Sequence, residues 1–198
     1  GLGFSLLTGG YLFYLAKTTN VKDLQNALKA TTIIYDKNGD QAGSLTGQKG
    51  TYVELDAISK NLQNAVVATE DRSFYKNSGI NYGRFFLAIL TLGRSGGGST
   101  ITQQLAKNAY LSQDQTVERK AKEFFLALEI NKKYSKKEIL TMYLNNAYFG
   151  NGVWGIEDAS KKYFGVSASQ LSLDQSAVLA GMLKGPEIYN PLYSVENA

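Results

Sequence analysis

Residues 115–146 read QTVERKAKEFFLALEINKKYSKKEILTMYLNN. Val117, Ala121, Phe124, Phe125 and Leu128 recur at helical spacing, which predicts a helix over 115–133 with that stripe buried. A second helix is predicted over 136–146. The same period runs outward on both sides and predicts helices over 60–71, 82–93, 99–109, 154–164 and 172–183. Gly79, Gly93, Gly150, Gly165 and Gly185 punctuate them, and Pro186 and Pro191 mark an extended exit. Residues 20–30 also read as helical. Between them and the helical run, TTIIYD (31–36) and TYVEL (51–55) are β-rich and bracket KNGDQAGSLTGQKG, whose Asn38-Gly39 pair signals a turn. The expected fold is therefore mainly α, with a small β excursion near residues 31–55.

At 198 residues the chain suits one compact domain, or one domain with appendages, and can bury roughly 70% of its unfolded surface. With 43% hydrophobic and 19% charged residues, it does not read as disordered. It has no cysteine, which excludes disulfides, thiolate metal sites and a cysteine nucleophile. It has no histidine, which excludes a histidine triad, base or zinc site. Acid–base chemistry near neutral pH falls to carboxylates, lysine or tyrosine. The net charge of +4 is a mild bias toward anionic partners such as phosphates or anionic lipid.

Residues 1–16 carry no charge. A helix there would be about 24 Å long, just short of a bilayer's hydrocarbon core. It reads as the outer part of a transmembrane helix or as a buried core helix; no charged leader marks a signal peptide. The run Phe85–Leu92 is apolar nearly all round and flanked by Arg84 and Arg94. It is too short to span a bilayer, so it is either a core helix or a segment dipping into the membrane surface.

Four segments can carry chemistry. Leu62, Val66 and Glu70 fall at steps of four, which turns Glu70 along an apolar face, the setting of a general base or acid. The plain alternative is a helix-end carboxylate paired with Arg72 or Lys76. Gly96, Gly97 and Gly98 lead into a helix start, which offers backbone N–H groups to an anion. There Ser99, Gln103 and Lys107 fall at steps of four and make one polar face, while Thr100 and Gln103 also suit a capping box. In ERKAKE (118–123), Arg119 and Glu123 are four apart, and two cations beside a carboxylate can hold a diphosphate directly or through a metal ion. A solvated charged helix face is the alternative. Residues 143–156, rich in Gly, Asn and aromatics, suit a sugar cleft and an ordinary packed turn equally.

Five ordered stretches, ATEDRSFYKNSG, GGSTITQQLAKN, ERKAKE, KKEILTMYLNNAYFGNGVWGIEDASKKYFG and LSLDQSAVLAGMLKGPEIYNP, cover about residues 50–193. Together they resemble the glycosyltransferase family 51 domain of class A penicillin-binding proteins and monofunctional peptidoglycan glycosyltransferases. The resemblance implies a lysozyme-like helical head lobe with a smaller membrane-associated jaw lobe. It divides the chain into a membrane-proximal or transmembrane helix (1–19), a linker with a helix and short β segment (20–55) and the glycosyltransferase domain (56–198). It implies polymerisation of lipid II into β-1,4-linked strands with inversion, on the extracytoplasmic face of a bacterial membrane, by an enzyme that is either monofunctional or followed by a transpeptidase domain.

By residue, Glu70 matches the family's general base and Glu123 its second glutamate, proposed to help the leaving diphosphate through a divalent cation, Mg2+ or Mn2+. Lys107, Arg119 and Lys120 match cations near the donor phosphates. Asp71, Phe74, Ser99, Thr100, Gln103, Gln104 and Asn108 match cleft residues, and Lys184 is a further candidate contact. Many members carry a histidine after the first motif's phenylalanine; Asn77 and Ser78 stand here instead. The implied partners are lipid II, the growing lipid-linked strand, the membrane, moenomycin-type inhibitors and cell-division or elongation proteins, with no nucleic acid. The rival readings are a lysozyme-like lytic transglycosylase or glycan hydrolase, and a non-catalytic membrane scaffold.

Overall fold

A computed structural model describes residues 2–29, 31–35, 38, 41–46, 50–90, 99–111 and 117–184. In chain order the elements are α1 (Leu2–Thr18), α2 (Leu24–Lys29), β1 (Thr31–Tyr35), β2 (Gln41–Thr46), α3 (Lys60–Glu70), α4 (Tyr82–Leu90) and α5 (Ile101–Tyr110). There follow α6 (Val117–Lys133), α7 (Lys136–Asn146), α8 (Ile156–Phe164) and α9 (Leu173–Met182). The fold is mainly α, as the periodicity predicts. The tripled glycines 96–98 and both prolines lie outside the described residues, as do Gly93 and Gly185.

The chain divides into two compact units, Gly1–Val21 with Asn64–Tyr143, and Lys22–Gln63 with Leu144–Ala198. In the first unit α6 is the central helix. On one side it meets α1, where Phe13 and Phe125 pack edge to face and Lys17 pairs with Glu129 at 2.7 Å. On another it meets α4, whose Phe85 ring lies 4.8 Å from that of Phe124. The α6 stripe differs from the expected one. Its most buried residues are Arg119, Glu123, Leu126, Ala127 and Ile130, while Ala121, Phe124, Phe125 and Leu128 are only part-buried. The physical reason is that α6 has neighbours on several sides: the aromatics face α1 and α4, and the ion pair takes the most enclosed side. Gly79 is essential to this packing: its φ is +93°, and a Cβ there would sit 2.7 Å from the Ala127 carbonyl oxygen.

The second unit holds the hairpin. β1 and β2 pair antiparallel from Thr31 opposite Thr46 to Tyr35 opposite Gln41. The second strand thus comes from QAGSLT, not from TYVEL. The TYVEL backbone finds a side chain instead: Val53 N–H donates to Asn145 Oδ1, and Asn145 Nδ2 donates to the Val53 carbonyl, both at 2.8 Å. One amide satisfies both groups a ladder would have used. The stretch after α7 is a packed turn, with Gly150, Asn151, Gly152 and Gly155 at positive φ and the Tyr148 ring packed at a tilt against Trp154.

Candidate active site

Glu70 ends α3 on the face that carries Leu62 and Val66; those two are fully buried and Glu70 is 8% exposed. It pairs with neither Arg72 nor Lys76. Its Oε2 accepts from Gln104 Nε2 at 3.0 Å, while Oε1 is buried and makes no hydrogen bond among the described residues. A buried carboxylate oxygen without a donor is costly, and a substrate hydroxyl would satisfy it.

The next residue is held differently. Asp71 is fully buried and accepts from Asn77 Nδ2, Ser73 Oγ and the Ile101 N–H. It therefore ties the loop after α3 to the positive N-terminus of α5. Asn77 is a junction: its Oδ1 accepts from the Gly79 N–H at 3.0 Å and from Lys136 Nζ at 3.1 Å. Burial pushes the Lys136 ammonium below its ordinary value, against the pull of the Asp71 charge. The same ammonium lies 5.0 Å from the ring centre of Phe74, which is wholly buried. The Asn77 amide thus donates and accepts at once.

Glu123 is 1% exposed and meets both neighbouring cations: Arg119 Nη1 at 2.6 Å and Lys120 Nζ at 3.0 Å. Ser99 Oγ donates to Glu123 Oε1 at 3.3 Å and accepts from Lys120 Nζ. ERKAKE is thus no solvated face, since Arg119 is buried too. Half-buried Lys107 senses both carboxylates. Burial lowers its ammonium, Glu123 opposes, Arg119 and Lys120 add to the lowering, and Glu70 opposes weakly. Helix α5 and its lead-in therefore draw the two glutamates together: Ser99 reaches Glu123, Gln104 reaches Glu70, and Lys107 feels both. At Glu123 two cations, Arg119 and Lys120, meet one carboxylate, a local excess that suits an anion.

The other sequence-predicted residues fall in different places. Thr100 and Gln103 form a full capping box: Thr100 Oγ1 accepts from the Gln103 N–H at 3.1 Å, and the Thr100 N–H donates to Gln103 Oε1 at 2.9 Å. The box turns Gln103 inward, so it does not share a polar face with Ser99 and Lys107. Asn108 is half-buried in α5, and exposed Lys184 follows α9 in the second unit. One residue of the 143–156 segment has a contact that the spacing alone did not give. Tyr143, buried on α7, donates to Gln104 Oε1 at 2.8 Å. Its signal was present, because a tyrosine in the apolar run with Ile139 and Leu140 must find a hydroxyl partner.

Both Glu123 oxygens face cations or a hydroxyl, and among the described residues no three acidic side chains gather, so a divalent cation at Glu123 would take further ligands from a bound diphosphate.

Two helices show exposed apolar faces: Leu6, Leu7, Tyr11 and Tyr14 on α1, and Phe86, Leu87 and Leu90 on α4. The α4 run is therefore not a core helix; Phe85 packs inward while the opposite side is bare. Among the described residues no helix is long and apolar enough to cross a membrane.

Comparison with known proteins gives the family. The profile described as Transglycosylase matches residues 38–198. Penicillin-binding protein 2a of Streptococcus pneumoniae is 80% identical over the whole chain, which covers 27% of that protein. Penicillin-binding protein 1A of Aquifex aeolicus is 45% identical over 83% of the chain and 23% of its own length. Penicillin-binding protein 1A of Escherichia coli is 37% identical over the whole chain and 24% of its own length. The chain thus spans about a quarter of the curated relatives it matches. It belongs to the transglycosylase family, glycosyltransferase family 51, the glycosyltransferase domain of class A penicillin-binding proteins.

Proposed function

We propose that the chain polymerises lipid II into β-1,4-linked glycan, with inversion at the donor sugar and release of a lipid diphosphate. The observation that carries this reading is the arrangement either side of α5: the buried Glu70 carboxylate of α3 with one unengaged oxygen, and the cations about Glu123 on α6. Glu70 Oε1 takes the proton of the acceptor's 4-hydroxyl. The freed oxygen attacks the anomeric carbon of the donor strand as the bond to the diphosphate breaks. Lys107, Arg119 and Lys120 receive the two phosphates, with Glu123 holding Arg119 and Lys120 in place. A diphosphate is already a good leaving group, so the reaction needs a base and positive charge and no nucleophilic side chain. Ser99, Gln104 and Asn108 line the path of the sugars, Lys184 is a further substrate contact, and Asp71, Phe74, Thr100 and Gln103 hold the site's frame.

The substrate's lipid puts the site at the bilayer surface of the cell envelope. The exposed apolar faces of α1 and α4 suit that position. Residues 1–19 form the membrane-proximal helix, and residues 56–198 carry catalysis, with 20–55 joining them. Incubation of the full-length protein with lipid II tests the reading. The expected products are long glycan and free lipid diphosphate. Shortening of added glycan strands, with no polymer from lipid II, would establish the hydrolytic alternative instead.

A further inference from the structure

The base has a support that its own helix does not supply. Tyr143 donates to Gln104 Oε1 at 2.8 Å, and Gln104 Nε2 donates to Glu70 Oε2 at 3.0 Å. The three side chains come from α7, α5 and α3. An amide has two ends, and a carboxylate can only accept, so Glu70 demands the NH2 end. The carbonyl end then needs a donor, and in this place that donor is a phenol. Burial, and then the charges of Glu70 and Asp71, push the Tyr143 hydroxyl well above its ordinary value, so it keeps its proton.

We propose that Tyr143 is a positioning residue: through the Gln104 amide it holds one oxygen of Glu70 and leaves the other turned to the acceptor hydroxyl. Tyr143 itself touches no substrate, whereas Gln104 is only part-buried and stands within reach of it. This inference rests on Glu70 being the base. A tyrosine kept merely for packing would be replaceable by phenylalanine without kinetic effect, because the ring is unchanged.

The test measures lipid II polymerisation by full-length Y143F, Q104M, the double variant and E70Q. Y143F should lower kcat about tenfold, the effect of one well-placed hydrogen bond, with KM unchanged. Q104M should lose at least as much. The double variant should be no slower than Q104M, because the hydroxyl acts only through the amide. Wild-type kcat in Y143F, or losses that multiply in the double variant, would overturn the relay. Should Y143F not fold, the kcat and KM of Q104M decide: a tenfold fall in kcat with KM kept upholds the relay, and wild-type kcat or a change in KM alone overturns it. E70Q separates the two layers. Polymerisation that survives in E70Q removes the base itself, whereas an inactive E70Q beside a fully active Y143F removes only the relay.

Discussion

At the scale of single residues, charge and burial decide what each carboxylate can do. Both Asp71 oxygens accept hydrogen bonds, while Glu70 next to it keeps one buried oxygen without a donor. Glu123 is the third case, a buried anion between cations. Replacing it with alanine would remove the buried carboxylate that Arg119 and Lys120 both meet, and should cost about 3 kcal/mol of stability, read as a fall in urea midpoint at constant m. Lys107 gives a pH prediction. Its ammonium is pushed below the ordinary lysine value, so it loses charge as pH rises sooner than an exposed lysine would. The donor's KM should climb through that alkaline window, and K107R, which stays charged, should move the climb to higher pH. An unchanged profile in K107R would remove Lys107 from the diphosphate site. The direction of Glu70 was legible in the sequence, because Leu62 and Val66 share its helix and rigid geometry does the rest. The Gln104–Tyr143 link was not, because it joins residues 39 apart through the packing of separate helices.

At the scale of elements, the start of α5 is the joint on which the site depends. Thr100 caps the helix and also donates to the Gly79 carbonyl at 2.6 Å, so one hydroxyl fixes both the helix and the loop that follows Asp71. T100A should therefore cost more than an ordinary cap, about 2 kcal/mol, measurable by thermal or urea unfolding. G79A should cost a similar amount or more, since φ is +93° and the Ala127 carbonyl blocks a Cβ. The cap was readable because its residues are three apart. The inward turn of Gln103 followed from the cap and was missed when step-of-four spacing alone defined a face. The α6 stripe was misread for a related reason: a helix with several neighbours buries more than its apolar residues, and periodicity cannot rank its sides. TYVEL failed as a strand because an asparagine 92 residues away met its backbone first.

At the scale of the molecule, the helical frame leaves apolar faces of α1 and α4 exposed, which suits the lipid substrate proposed above. Charge on that surface should be felt in binding, not in chemistry. F86D with L90D should lower co-sedimentation with lipid vesicles at least about tenfold, leaving turnover in detergent close to wild type. Unchanged vesicle binding would remove α4 from the bilayer contact. Composition had already narrowed the chemistry: with no histidine and no cysteine, carboxylates, lysines and tyrosines must do the work. The central claim is that Glu70 takes the acceptor's proton. It is tested most directly by single-turnover polymerisation of lipid II by E70Q, with lipid II binding measured in the same sample. The account predicts a rate at least about a hundredfold lower with binding retained. A rate near wild type would contradict it.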